Sequence, residues 1–570
     1  MNSAEKVLEV KALDISLRQA HTVNSIVKNI SFSIASGETL ALVGESGSGK
    51  SITALSILGL LPNPPLKITA GEIRFRLKNG SFTTLHQPQQ KTLERIRSLE
   101  IGIIFQEPLS ALNPVLTCGF QLSDILRKRL KLNASEAFYT CLKLFQEVLL
   151  PDPESVYRRY PHQLSGGQKQ RVMIAMAIAC NPQLLIADEP TTALDPTVQF
   201  EILQLLKSIQ KKRGMGILII THDLRMLYEF ADTVMVMRHG VCLEYGNINR
   251  VFKSPQHPYT KALLMCRPPL HSRPERLPVL QDFISTPAES EKSISKLPLG
   301  VHSDKFKAQI DVADLVVKVP EKRFWYGGIK TYKTLINGVS FSLKPHETLG
   351  IIGESGCGKS TLARTLLQLM PAFAGQLTYK HIGESRTEQF NVLPSRKFIQ
   401  LVFQDPFASL NPLMPVGEAI AEALRVHQME TNERLIKQRA TFWLEAVGLH
   451  ASSYLRLPHE FSGGQRQRVS IARALCINPK VLVCDESVSA LDVSIQAQIL
   501  NLINDLKSTL GFSCIFISHD IHVVRYMCES ILVMKAGEII ESGATDSVLQ
   551  NPQHAYTQAL LQAVPTFEPF

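Results

Sequence analysis

Two octapeptides in this 570-residue chain have the residue types that hold a phosphate chain: GESGSGKS at 44–51 and GESGCGKS at 353–360. In Gly-x-x-x-x-Gly-Lys-Ser the glycines let backbone N–H groups close around phosphate oxygens. The lysine reaches the outer phosphates, and the terminal hydroxyl ligates magnesium. This assigns Gly44, Ser46, Gly47, Gly49, Lys50 and Ser51 to one loop, and Gly353, Ser355, Gly356, Gly358, Lys359 and Ser360 to the other. A chance Gly/Ser turn would not return in full in the same context.

Two further pairs of motifs supply groups for phosphate chemistry. LLIADE (184–189) and VLVCDE (481–486) are apolar runs ending in two acids. Asp188 and Asp485 suit magnesium; Glu189 and Glu486 suit polarising an attacking water. GILIITHD and FSCIFISHD end in His222 and His519, each at the same spacing from the acids, which favours a γ-phosphate contact over a solvated surface histidine.

LSGGQ (164–168) and FSGGQ (461–465) each open a segment of helical character. Ser165 or Ser462 reads as an N-cap. Paired glycines are wasteful for capping alone, since glycine costs order. Bare N–H groups at a helix N-terminus let an anion approach closely. Each half thus carries two anion sites, one of which has no lysine of its own.

The elements that must position these groups follow from pattern. TLALV and TLGII before the phosphate loops, and the runs before the acids and histidines, read as buried parallel strands with polar carboxyl ends. The chain is a repeat: from SGGQ onward the copies are shifted by a constant 297, and between the phosphate loops by 309. About a dozen extra residues therefore sit in the first copy, near RLKNGSFTTLHQPQQK, as a surface hairpin or loop. FQEPLSALNP returns as FQDPFASLNP, and HPYTKAL as HAYTQAL. Two domains are expected, 1–266 and 310–570, joined by a proline-rich linker at 267–309 with extended stretches.

Net charge is +10, without a dense basic run interleaved with aromatics, so nucleic acid is not expected as a partner. The charged N-terminus does not suit a signal peptide. No apolar run reaches the roughly 18 residues that cross a bilayer. Ten scattered cysteines without a CxxC pair fit a reducing compartment. Cys357, beside Lys359 at a helix start, is expected to have a lowered pKa and to react with thiol reagents.

Together these residues resemble the ATP-binding-cassette ATPases, twice over and across nearly the whole chain. The resemblance implies an α/β fold of two tandem P-loop nucleotide-binding domains. Each has a RecA-like core, a helical subdomain and an antiparallel β subdomain. It implies ATP and Mg²⁺ as ligands, with Gln106 and Gln404 joining Ser51, Asp188, Ser360 and Asp485 at the metal. It implies an intramolecular dimer of the two cassettes. Ser462, Gly463, Gly464 and Gln465 would close the site of Lys50, and Ser165, Gly166, Gly167 and Gln168 that of Lys359. Asp195 and Asp492 would lie at the shared interface. Within the family the chain looks like the oligopeptide, dipeptide and nickel importers, and like the fused ATPase subunit of peptide importers of the microcin C uptake type. That implies two transmembrane permeases, a periplasmic binding protein, and a peripheral place on the cytoplasmic face of the bacterial inner membrane.

Three departures stand out. Leu17 and Val319 occupy positions where the family stacks adenine on an aromatic; Phe324, Trp325 or Tyr326 can substitute in the second copy. Asp-Glu-Pro becomes Asp-Glu-Ser at 485–487, with both acids kept, so hydrolysis is expected at both sites. The C-terminal cysteine cluster of some relatives is missing, so no iron–sulfur cluster is expected. Ribosome-acting relatives join their halves with a long charged helix, and DNA-repair relatives carry zinc CxxC pairs; neither occurs here. A regulatory module with dead sites does not fit two full sets of Lys, Asp, Glu and His.

Overall fold

Strands β3 (Thr39–Val43) and β13 (Thr348–Ile352) are buried at every residue, as strands covered on both faces must be. Each is central to a six-stranded sheet in a computed structural model of the chain. The structure describes residues 5–19, 22–85, 90–106, 111–192, 194–221, 223–270, 272–284, 307–323, 329–382, 387–390, 392–393, 396–489 and 491–562. It divides into two compact units, within Met1–Met265 and Cys266–Val564.

In the first unit the large sheet has the order β10-β9-β3-β8-β7-β6, from β6 (Ile101–Ile104), β7 (Leu184–Asp188), β8 (Gly216–Thr221), β9 (Thr233–Arg238) and β10 (Val241–Asn247). All neighbours are parallel except the β9–β10 hairpin at the edge. A four-stranded antiparallel sheet packs against it: β2-β1-β4-β5, from β1 (Lys6–Gln19), β2 (Thr22–Ala35), β4 (Leu66–Arg76) and β5 (Phe82–Thr84). One apolar core fills the space between the sheets. Val10, Leu13 and Phe75 of the antiparallel sheet share it with Leu42, Ile186 and Ile220 of the parallel sheet and with Ile57 of the helix Lys50–Ile57.

The second unit repeats this plan. Its antiparallel sheet is β12-β11-β14-β15 and its large sheet β16-β17-β18-β13-β19-β20. The new strands are β11 (Lys307–Arg323), β12 (Ile329–Leu343), β14 (Ala374–Ile382), β15 (Thr387–Phe390), β16 (Ile399–Val402), β17 (Val481–Asp485), β18 (Ser513–Ile517), β19 (Ser530–Lys535) and β20 (Glu538–Ala544). Ile310, Leu315 and Tyr379 meet Ile351, Val483, Ile517 and Leu366 in the matching core. In both units helices follow the sheet edge and lead to the SGGQ helix: Cys118–Leu130 and Ala134–Glu147, then Val416–Val426 and Glu433–Ala446.

Two sequence expectations change. The first copy's extra length is not only a hairpin: it includes the helix Gln90–Leu99, whereas among the described residues no helix separates β15 from β16. The proline-rich stretch is not a free spacer in its described part. Residues 266–270 and 272–284 belong to the second unit. Asn501 accepts from the Leu277 N–H at 3.0 Å and donates to its carbonyl at 2.8 Å. The Arg267 guanidinium sits 3.1 Å from Asp520, and Leu277 is 1% exposed. Backbone polar groups without a helix or sheet partner need such side-chain partners when buried. Composition alone reads the stretch as solvent-facing because it cannot register those long-range bonds.

Candidate functional site

Because β3, β7 and β8 run parallel, their carboxyl ends reach one edge of the sheet. Val43 is level with Thr221, and Asp188 with Ile220. In the second unit Ile351 and Asp485 are both level with Ile517. Phosphate loop and acids therefore emerge side by side, where open parallel sheets bind ligands.

Each phosphate loop is shaped by glycine. Gly44 has φ +150°, and a Cβ there would lie 2.1 Å from the Met237 carbonyl oxygen. Gly353 has φ +151°, with the Met534 oxygen at 2.2 Å from such a Cβ. Gly49 and Gly358, both left-handed, start the helices Lys50–Ile57 and Lys359–Leu366, and neither helix start is capped by a side chain. A helix start without a side-chain cap suits an anion. The Lys50 ammonium donates to the carbonyls of Gly44 (2.8 Å) and Glu45 (2.7 Å). Lys359 does the same to Gly353 (2.7 Å) and Glu354 (2.9 Å). Cys357, expected to be reactive, is 7% exposed with its sulfur 3.9 Å from the Lys359 ammonium, which leaves a reagent little access.

The acids take different partners. The Ser51 hydroxyl donates to Asp188 at 3.2 Å, and Ser360 to Asp485 at 3.0 Å. Gln106 donates to Glu189 at 2.9 Å, and Gln404 to Glu486 at 2.8 Å. A backbone turn separates the two carboxylates. The N–H groups of Glu189 and Glu486 donate to the carbonyls of Ile220 (2.9 Å) and Ile517 (3.0 Å). Both residues then adopt φ of +46° and +47°. That left-handed conformation costs a non-glycine residue about 1–2 kcal/mol, strain of the kind stored at functional sites.

Burial pushes the Asp188 and Asp485 carboxyls up; the serine bonds pull the other way, and the neighbouring glutamates add to the rise. Glu486 ends below the ordinary glutamate value: burial raises it, and the hydrogen bond and charge of His519, with the charge of Lys359, outweigh that. His519 Nδ1 lies 3.6 Å from the Glu486 carboxylate. His222 lies outside the described residues, as do Phe324, Trp325 and Tyr326. Leu17 and Val319 sit within β1 and β11, level with Leu66 and Lys333 of neighbouring strands.

The SGGQ serines are N-caps of the helices Gly166–Ile178 and Gly463–Leu475. Ser165 Oγ accepts from the Gln168 N–H at 3.3 Å, and Gln168 Oε1 from the Ser165 N–H at 3.1 Å. Ser462 and Gln465 repeat this at 3.4 and 3.1 Å. The glycines divide their roles. A Cβ on Gly167 would lie 2.7 Å from Val198, and on Gly464 2.2 Å from Ile495, so the second glycine serves helix packing. On Gly166 and Gly463 the nearest leucine atoms would be 3.2 and 3.6 Å away, so the first glycine is less crowded than the second. Asp195 and Asp492 immediately precede Pro196–Arg213 and Val493–Leu510 without capping them by side chain.

One neighbour of the acids escapes the sequence reading. Thr192 donates its hydroxyl to the Glu189 carboxylate at 2.8 Å. The matching Ser489 turns instead to the Glu486 backbone carbonyl at 2.9 Å. The constant 297-residue shift pairs these positions, but hydroxyl direction is a rotamer choice that no spacing announces.

Known proteins share this arrangement. The ABC transporter family profile matches residues 27–192 and 336–489. The profile of the oligopeptide/dipeptide transporter C-terminal region matches 243–292 and 540–569. The chain is 41% identical over 568 residues to the glutathione import ATP-binding protein GsiA of Salmonella choleraesuis (strain SC-B67), covering 99% of this chain and 90% of that protein. It is 42% identical over 571 residues to GsiA of Escherichia coli O157:H7, with the same coverage. The archaeal ribosome recycling factor aABCE1, solved with the ribosomal stalk protein aP1, aligns at a TM-score of 0.56 over 93% of this chain and 90% of that one. At 16% identity that likeness shows the fold alone. The chain belongs to the ABC transporter family, as an ATPase subunit with two cassettes in one polypeptide, each followed by an oligopeptide/dipeptide-type C-terminal region.

Proposed function

We propose that this subunit powers import of a peptide or peptide-like solute, with glutathione a first candidate, by hydrolysing ATP at two composite sites. One site joins Gly44–Ser51, Gln106, Asp188, Glu189 and His222 to Ser462, Gly463, Gly464 and Gln465. The other joins Gly353–Ser360, Gln404, Asp485, Glu486 and His519 to Ser165, Gly166, Gly167 and Gln168. Asp195 and Asp492 lie at the interface between the cassettes. The observation that carries this is the recurrence of the Ser–Asp and Gln–Glu pairs in both units at matching distances.

The chemistry of such a site is mostly positioning and charge. Loop amides and the lysine hold the phosphates. Glu189 or Glu486, steered by Gln106 or Gln404, orients the attacking water, and the histidine faces the γ-phosphate. The donor set suits Mg²⁺: hydroxyl and carboxylate oxygens adjoin, and the buried carboxyls whose pKa is raised gain most from a cation. Ser51, Gln106 and Asp188, or Ser360, Gln404 and Asp485, would hold the ion, which neutralises phosphate charge. A serine-capped helix start with no lysine is the complement that the opposite cassette needs.

The relatives are import ATP-binding proteins, which supports membrane partners. Among the described residues no helix is long and apolar enough to cross a membrane. Two permeases supply the spans, a periplasmic protein delivers the solute, and this subunit works at the cytoplasmic face of the inner membrane. Glu189→Gln with Glu486→Gln in the assembled transporter should cut ATPase about 100-fold or more, the scale of one lost transition-state group. Retention of more than a tenth of the rate contradicts the assignment. An active transporter that imports neither glutathione nor short peptides contradicts the substrate class.

A further inference from the structure

HPYTKAL and HAYTQAL recur at the end of each cassette. Tyr259, in the first turn of the helix Pro258–Met265, is fully buried and accepts a hydrogen bond on its hydroxyl from the Glu45 N–H at 3.1 Å. Tyr556, in Ala555–Gln562, accepts from the Glu354 N–H at 3.0 Å. Glu45 and Glu354 are the second residues of the two phosphate loops. The N–H of Glu45 and the C=O of Gly44 belong to one planar peptide group. That C=O is where the Lys50 ammonium docks, at 2.8 Å. The Gly353–Glu354 peptide is likewise held by Tyr556 on one edge and by Lys359, at 2.7 Å, on the other.

The tyrosines are themselves held in place. His257 Nδ1 accepts the Tyr259 N–H at 3.1 Å, and His554 Nδ1 the Tyr556 N–H at 3.0 Å. A carboxylate from the edge strand fixes each turn: Glu244 accepts from the Gln256 and His257 amides, and Glu541 from those of Gln553 and His554. The Arg238 guanidinium lies 5.0 Å from the Tyr259 ring centre, and the Lys535 ammonium 4.8 Å from that of Tyr556. Tyrosine and loop are thus both anchored to the same β-hairpin end, whose Met237 and Met534 carbonyls press on Gly44 and Gly353.

We propose that Tyr259 and Tyr556 are positioning residues for ATP: each locks the first peptide group of its phosphate loop, and with it the lysine and the remaining loop amides. This rests on the reading that the loops bind ATP phosphates. When phosphate draws the lysine away, the tyrosine bond still holds this peptide group. Glycine at the preceding position offers no steric resistance of its own.

The test uses full-length protein in the assembled transporter, with Tyr259→Phe, Tyr556→Phe and the double variant, which keep the ring and its cation contact. The double variant should raise the ATP KM about tenfold, the size expected for leaving a buried N–H unpaired. KM should rise more than kcat falls, and each single variant should weaken binding of a fluorescent ATP analogue at its own site only. An unchanged KM overturns the inference. So does a collapse in melting temperature with unchanged KM in the folded fraction, since that is a purely structural role. Lys50→Ala with Lys359→Ala separates the two readings. If that pair binds ATP like the parent, the phosphate-loop assignment itself fails. If it loses ATP while the tyrosine variants behave as parent, only the tyrosine inference fails.

Discussion

Around the phosphate loops the two cassettes agree to within about 0.2 Å: lysine to first-glycine carbonyl is 2.8 against 2.7 Å, and serine to aspartate 3.2 against 3.0 Å. Around the glutamates they part. Glu189 has both Gln106 and the Thr192 hydroxyl on one oxygen. Glu486 has Gln404 on one oxygen, and the matching Ser489 hydroxyl is turned to the backbone. Even within the loops, the side chain under the lysine is the Ser48 hydroxyl at 3.2 Å in one and the Cys357 sulfur at 3.9 Å in the other. Backbone-made parts tolerate no drift, because a Cβ at Gly44 or Gly353 would overlap a carbonyl oxygen. Parts made by side chains can be supplied in more than one way, so the two glutamates need not work equally.

The second site can be probed through His519, 3.6 Å from the Glu486 carboxylate. With the first site silenced by Glu189→Gln, His519→Ala should lower turnover about 100-fold. The residual rate also carries a sign. His519 holds Glu486 below the ordinary glutamate value, against burial. Without it the carboxyl rises, so the ionised form appears only at higher pH, and the acid limb of the pH–rate profile should move up. An unmoved acid limb would mean the pair does not set the charge.

A smaller effect separates the hydroxyls. Thr192→Val should slow the first site about fivefold, the worth of one hydrogen bond to a charged group, while Ser489→Ala should change the second less than twofold. Equal effects would erase the difference. The smallest effect is in stability. Burial raises Asp188 and Asp485, so the fold disfavours their charge at neutral pH and recovers stability as pH falls through the folded value. Asp188→Asn and Asp485→Asn remove that charge at every pH. Each should raise the nucleotide-free melting temperature by about 1–3 °C while removing metal-dependent turnover. A lower melting temperature in either would show that the carboxylate holds the apo loop together.

Much of this was legible because it is local. Gly-x-x-x-x-Gly-Lys-Ser after an apolar run can be read from eight residues, and from SGGQ onward the constant shift of 297 carries each assignment to its twin. The illegible parts are bonds across long sequence separations. Asn501 catches Leu277 from 224 positions away, and Tyr259 reaches Glu45 from 214. Nothing in RPPLHSRPERLPVL declares that Leu277 will be buried. The glycine pair was legible as a pair but not in its division, since only packing against Val198 and Ile495 shows which of the two serves the helix contact.

In the proposed function each ATP site takes its phosphate loop from one cassette and its SGGQ from the other. Ser→Asp keeps a good N-cap while setting a negative charge against phosphate. In a background of Glu189→Gln and Glu486→Gln, the ATP trapped per chain can be counted for two combinations. Lys50→Ala with Ser462→Asp strikes one composite site and should leave one ATP per chain. Lys50→Ala with Ser165→Asp strikes both and should leave none. The reverse order, or equal counts, contradicts the account.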